Sequence, residues 1–200
     1  MSRLFAFVLL LLSVCSIAAS PPRKPFISPQ NRVPNRSDHG VCLWCCLEMI
    51  GRQHGIPSLI GLTGKVVKHG RGWKGGADRA SLLFWGKKLG FKHRHQVWGD
   101  KSLKLIRLAH KRGVPAVVSI WAEDCNHAVL LLRIGKKTVS ILDPNGFKAK
   151  TRSRRWFDER WNGRVWVVLP GDQPRRHAGA PLILPPGRAF ASSAGPFALE

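Results

Sequence analysis

The pattern of apolar and polar positions changes character along the chain. From Val41 to His54 apolar residues recur at helical spacing, and Gly55 with Pro57 just beyond supplies the usual stop. Helical spacing returns over Ala80 to Leu89 and over Ser102 to Lys111, closed by Gly90 and Gly113. Shorter apolar and β-branched runs follow at Ala116 to Trp121, His127 to Ile134, Val139 to Leu142 and Val165 to Leu169, and these predict strands. Between the last two, Arg152 to Trp161 predicts one more helix. Helices come first and strands cluster later, so the expected class is α+β.

The flanks have a different texture. Arg3, an apolar run from Leu4 to Leu12 continuing through Val14 to Ile17, and then Ala18, Ala19 and Ser20 have the pattern of a secretory signal peptide over residues 1–20. Its fourteen residues, from Leu4 to Ile17, fall short of the ~20 that a membrane-spanning helix needs, so export to a secreted or periplasmic location is expected, with no transmembrane segment in the mature chain. Pro21, Pro22, Pro25, Pro29 and Pro34 predict an extended linker over 21–38. After Pro170 the hydrophobic period is lost, and 171–200 reads as a Pro/Gly/Arg-rich disordered tail. The folded unit is therefore placed at 39–170.

The chain has 200 residues and is 44% apolar, enough for one domain with a buried core and too much for wholesale disorder. Five cysteines are too few for a disulfide-dense miniprotein. Thirty-three Lys and Arg against 11 Asp and Glu give a net charge of +22. The positive charge is spread over Lys65 to Lys74, Lys87 to His95 and Lys148 to Arg155, with Trp73 and Trp156 nearby. Such a surface attracts polyanions, whether nucleic acid or an anionic cell envelope. No recognisable DNA- or RNA-binding motif accompanies it, so the charge is read as a modifier of location or substrate choice.

Three polar positions carry the candidate chemistry: Cys42 at the start of the first helix, His127 at the head of a strand and Asp143 at the end of the next. A thiol in the first helical turn meets the partial positive charge of that terminus, which favours thiolate. If Gly135 centres the hairpin, position i faces 270 − i. His127 then faces Asp143 on one side of the sheet, close enough for the carboxylate to hold an imidazole N–H. A register slip of one residue would send Asp143 to the opposite face. Cys, His and a carboxylate that orients the His are the parts of a thiol hydrolase.

Other readings use the same residues. Cys42, Cys45, Cys46 and Met49 share a helix face, as a core stripe would, and Cys45 and Cys46 are assigned to it. Asp143-Pro144-Asn145-Gly146 is also a type I turn sequence, a role compatible with orienting a histidine. Cys42 and Cys45 form a CxxC pair, but a thioredoxin-like site needs a buried strand leading into it, and residues 30–41 are polar and proline-bearing. A disulfide between those two would remove the thiolate. Cys42, Cys45, Cys125 and His127 have zinc-ligand chemistry, but the Cys-x-His half is unusual, so neither a metal nor another cofactor is expected.

The run Cys-Leu-Trp-Cys-Cys-Leu-Glu-Met-Ile-Gly-Arg-Gln-His-Gly at 42–55, Asn-His-Ala-Val-Leu-Leu-Leu from 126 and Ile-Leu-Asp-Pro-Asn from 141 resemble the papain-like cysteine peptidases that process bacteriocin leaders, the double-glycine group. The resemblance extends over about 39–169 in motif order and in the sixteen-residue His-to-Asp spacing. It implies a papain-like fold with an N-terminal catalytic helix, further helices and an antiparallel twisted sheet. It also implies Cys42 as nucleophile, His127 as general base and acid, and Asp143 as orienter. Two positions depart from the family pattern: Leu43 stands where glycine follows the nucleophile, and Arg36 where a glutamine helps hold the oxyanion. Losing one oxyanion donor costs ~10²–10³ in rate, and Gln30, Asn31, Asn35 and His39 are the candidate replacements. Trp44 and Trp98 are candidate walls of a substrate cleft. The expected function is that of an exported cysteine peptidase, or a related amide hydrolase, acting on a peptide or protein. The competing readings are a catalytically inactive peptidase-like binding module and a basic nucleic-acid-binding protein.

Overall fold

The computed structural model describes residues 24–35, 40–69, 79–122, 125–146 and 148–174. The signal-peptide segment, Arg36, His39 and the tail from 175 onward lie outside these residues. The described helices are α1 (Cys42–His54), α2 (Leu62–His69), α3 (Arg79–Leu89), α4 (Lys104–Lys111) and α5 (Arg154–Arg160). The strands are β1 (Arg94–Gln96), β2 (Ala116–Ala122), β3 (Cys125–Ile134), β4 (Thr138–Leu142), β5 (Ala149–Ser153) and β6 (Trp161–Val167). They form one sheet in the order β1-β6-β2-β3-β4-β5, every neighbouring pair antiparallel. The fold is α+β, as expected, and no described helix is long and apolar enough to cross a membrane.

α1 is the centre of the molecule. Every residue from Leu43 to Gly51 is buried, the signature of a helix enclosed on all sides rather than laid on a surface. It ends at Gly55, whose φ of 62° is the left-handed stop that a side chain resists. Gly51 is required by packing, because a Cβ there would come within 2.4 Å of the Leu59 Cβ. One charge is buried with the helix: Glu48 is paired with Arg52 and accepts the backbone N–H of Thr63 at 2.9 Å. That N–H belongs to the first turn of α2, where the helix dipole favours a carboxylate.

Three elements escaped the sequence pattern. α2 buries only Leu62 and Val66, one turn apart, between polar residues. β1 is three residues long, and β5 is exposed at every position, a polar edge strand with no apolar alternation to announce it. The helix predicted over 152–161 is shorter, because Ser153 caps it by accepting the N–H of Trp156 and β6 already begins at Trp161.

The segment predicted as a linker is corrected in its described part. Ile27 and Val33 are buried, the Ser28 N–H donates to Gln53 Oε1 at 2.8 Å, and the Asn35 N–H donates to the Pro144 carbonyl at 3.1 Å. The prolines stiffen this strap while the two aliphatic side chains anchor it. At the other end, Gln173 and Asp172 fasten residues 170–173 to Lys92, Arg94 and Arg112. Ile27→Ala is expected to cost about 2–5 kcal/mol, the range for a fully buried isoleucine, read from the denaturant midpoint; a change under 0.5 kcal/mol would show that the strap does not pack.

Candidate active site

The hairpin of β3 and β4 decides whether His127 and Asp143 can meet. Its turn is centred on Lys136 and Lys137, with Gly135 N–H donating to the Thr138 carbonyl at 2.8 Å, so the register expected from a turn on Gly135 is corrected. The observed pairs are Ile134↔Val139 and Arg133↔Ser140, then Leu131↔Ile141 and Leu130↔Leu142. The first two pairs alone would send Asp143 to the face opposite His127. A bulge at Leu132 inserts one residue into β3 and restores the face. Asp143 therefore sits diagonally from His127 on the same side, still within side-chain reach. The His127 Nε2 lies 2.8 Å from Asp143 Oδ1.

Asp143 is held in turn. It begins the turn that ends β4, its Oδ1 also accepts the Asn145 N–H at 2.8 Å, and the Gly146 N–H donates to its carbonyl at 3.1 Å. The carboxylate that meets His127 is also a turn residue.

The sulfur reaches this pair through Ala128. β4 pairs with β3 only as far as Leu130↔Leu142, so Ala128 lies beyond its end. Its polar atoms go to α1 instead: Cys42 Sγ accepts the Ala128 N–H at 3.4 Å, and Cys46 Sγ donates to the Ala128 carbonyl at 3.6 Å. Cys42 and Cys46 are one helical turn apart, matching the N–H and C=O that a strand residue presents on one edge. Docked this way, Cys42 comes under the influence of the His127 imidazole, which lowers the thiol's pKa. Asp143 occupies Nε2, so Nδ1 is the ring nitrogen not engaged by the carboxylate.

The electrostatics follow from these contacts. Burial alone raises the Cys42 pKa, but hydrogen bonds from His127 and from the backbone N–H groups of Ala128 and Leu43, with the charge of His127, bring it below the ordinary thiol value. His127 shows the reverse balance: burial disfavours its charge, yet hydrogen bonds with Asp143 and Cys42 raise its pKa to about 10. Burial likewise pushes Asp143 up, and His127, Asn145 and Lys150 hold it below the carboxylate range. The balance favours a thiolate on Cys42 beside an imidazolium on His127 and a carboxylate on Asp143. The other helix cysteines do not share this. Burial pushes Cys45 up to about 12 and raises Cys46 well above a free thiol. Both are core thiols, as the helix-face pattern predicted, and Cys45 also donates to the Pro34 carbonyl at 3.6 Å.

The remaining predicted residues are scattered. Trp44 is completely buried in the core and walls no cleft, a correction that follows from α1 being enclosed on all sides. Trp98 is half exposed and stands edge-on to Trp121, ring centroids 5.5 Å apart. Of the oxyanion candidates, Asn31 donates to Ser28 and to Gln53, which lies eleven residues along α1 from Cys42. At 1.5 Å per residue that is about 16 Å from the sulfur, and Gln30 is exposed on the same short turn. Neither can serve. Asn35 lies beside the Asp143 turn, with its amide donating to Asn145 Oδ1 at 2.8 Å, and His39 is outside the described residues. All four described cysteines are free, and among the described residues no three His, Cys, Asp or Glu side chains come together as a metal site. Sequence reasoning missed the Ala128 N–H, although its position directly after His127 was a signal, and it missed the cleft beside His127. That cleft, about 290 Å³, is lined by Trp121, Lys150, Arg152, Trp156 and Arg160 together with His127 and Asp143.

A model of the peptidase C39 family matches residues 33–173. Among solved structures, the peptidase domain of Streptococcus ComA, a bi-functional ABC transporter involved in a quorum sensing pathway, is similar with a TM-score of 0.54 at 19% identity, covering 69% of this chain and 96% of that one. The peptidase domain of Streptococcus mutans ComA gives a TM-score of 0.47 at 18% identity, over 70% and 99% of the two chains. A double glycine motif protease from an AMS/PCAT transporter, in complex with the leader peptide, gives 0.46 at 17% identity, over 67% and 84%. The first of these shares the papain-like fold with this chain. No curated protein sequence matches it.

The thiol populations should separate on alkylation. Iodoacetamide is expected to label Cys42 before Cys45 and Cys46, with a rate that rises through a pKa below that of free cysteine, because deprotonation exposes the nucleophile. Peptide mapping after partial labelling reads the order. Equal, slow labelling of all three, or a Cys42 profile rising only above the free-thiol range, would contradict the assigned charge state.

Proposed function

The chain belongs to the peptidase C39 family of cysteine peptidases, and from that premise we propose that it cleaves peptide bonds through Cys42, His127 and Asp143 by way of an acyl-enzyme. The observation that carries this reading is geometric: the Ala128 N–H holds Cys42 Sγ, at 3.4 Å, to the strand residue next to His127, whose Nε2 lies 2.8 Å from Asp143 Oδ1.

The steps use only these groups. The Cys42 thiolate attacks the carbonyl carbon of the scissile amide, and the C=O π pair moves to oxygen. Cys42 is the first residue of α1, so its own N–H has no partner within the helix and is available to the oxyanion. As the tetrahedral adduct collapses, the C–N bond breaks and His127 gives its proton to the departing amine. Water then attacks the thioester, His127 accepts the water's proton, and collapse frees the acid and regenerates the thiolate. Asp143 moves no proton. It holds the ring in the tautomer that points Nδ1 at the sulfur and stabilises the imidazolium.

Cys42→Ala is expected to abolish cleavage of a proteome-derived peptide mixture, read by mass spectrometry, with the circular dichroism unchanged. Asp143→Asn should lower kcat/KM by about a hundredfold or more and move the alkaline limb of the pH profile below about 10, because one of the two groups that raise the His127 pKa is gone. Cleavage that survives Cys42→Ala would overturn the proposal. No cleavage by the folded wild-type chain would return the protein to a binding role.

A further inference from the structure

The cleft beside His127 lies between the sheet and α5, and its cations are unusual. Arg152 on β5 and Arg160 at the end of α5 both stack on the indole of Trp156, with guanidinium carbons 5.5 and 5.2 Å from the ring centroid. Stacking fixes two guanidinium groups against one rigid plate. Lys150 joins them: it lies on β5 opposite Ile141 and its charge is felt by Asp143. Neighbouring α5 arginines are paired within the helix, Arg154 with Asp158 and Arg155 with Glu159. By contrast, Lys150, Arg152 and Arg160 have no carboxylate partner among the described residues. The one acid on the wall, Asp143, is committed to His127 and to the Asn145 N–H.

The position of this charge matters as much as its sign. His127 is in the cleft wall and Cys42 is not. In the proposed reaction His127 protonates the departing amine, which puts the leaving fragment beside the residue that lines this cleft. We propose that this cleft is a subsite for an acidic side chain on the leaving-group side of the scissile bond, with Arg152, Arg160 and Lys150 receiving its carboxylate and Trp156 holding the two guanidinium groups in place. The proposal rests on the reading of Cys42 and His127 as the reacting pair. It gives the excess positive charge of the chain a local use, since complementary charge in a half-enclosed cleft selects among substrates.

Two measurements test it, one without turnover. Binding of acetyl-Ala-Ala-Glu-Glu-Ala-amide and of its Gln-Gln counterpart to the Cys42→Ala chain is followed at the Trp156 indole N–H signal by NMR at low salt. The Glu peptide is expected to bind about tenfold tighter, the scale of a charge-assisted, partly enclosed pair. Arg160→Glu should reverse the preference toward a Lys-Lys peptide. Equal binding of the Glu and Gln peptides overturns the proposal. So does a preference seen only when the C-terminus is a free acid, which would make the site a clamp for chain ends. In the second measurement, cut sites in a proteome-derived peptide library should show Asp and Glu enriched in the first residues after the cut. Arg152→Gln with Arg160→Gln should remove that enrichment. Cleavage without acid selectivity removes the subsite and leaves the proposed function; acid-selective binding without any cleavage does the opposite.

Discussion

Two sulfurs one helical turn apart grip the two polar atoms of a single residue. Cys42 accepts the Ala128 N–H and Cys46 donates to the Ala128 carbonyl, at the place where β4 has stopped covering the edge of β3. This contact fixes the start of α1 against the strand that carries His127. Without it a buried edge would be left unpaired, and unpaired backbone groups in a core are costly. The requirement that β3 be satisfied is thus the requirement that brings the sulfur to the imidazole.

Charge then has to survive burial. An isolated thiolate or imidazolium in this environment would be neutralised, because desolvation is the largest influence on both groups and acts against each. Together they offset that cost: His127 lowers the Cys42 pKa, Cys42 helps to raise that of His127, and Asp143, Ala128 and Leu43 supply further hydrogen bonds. Cys45 and Cys46, on the same helix but fully buried, have no imidazole among the groups that shift them, and burial keeps them protonated. The lowered thiol pKa is a property of the surroundings of Cys42 rather than of the helix or of cysteine.

Much of this was legible in the residues. The helical period over Val41 to His54, the stop at Gly55 and the strand runs around His127 and Val139 carry strong local signals, because each buries a continuous apolar face. What stayed hidden depends on distant partners. β5 is all polar and becomes a strand only by pairing with β4, and the proline-bearing strap is held by Ile27 and Val33 dropping into a core assembled far along the chain. The meeting of His127 and Asp143 was anticipated through a simple hairpin, and the molecule reaches it differently, by a turn one position later and a bulge at Leu132. Turn geometry of that kind is not written in hydrophobic period. Trp44 shows the same limit: beside Cys42 in sequence, it points into the core because α1 has no exposed side.

The charge state of one ring decides whether sulfur and imidazole act as a pair. Imidazole ¹⁵N NMR across a pH titration of the full chain reads it directly. His127 is expected to remain protonated until about pH 10 and to lose its proton at lower pH once Cys42 is replaced by alanine, since the thiolate is one of the groups that hold the proton there. A His127 that titrates near the ordinary value of about 6.5 in the unmodified chain, unmoved by Cys42→Ala, would mean that sulfur and ring do not form a pair.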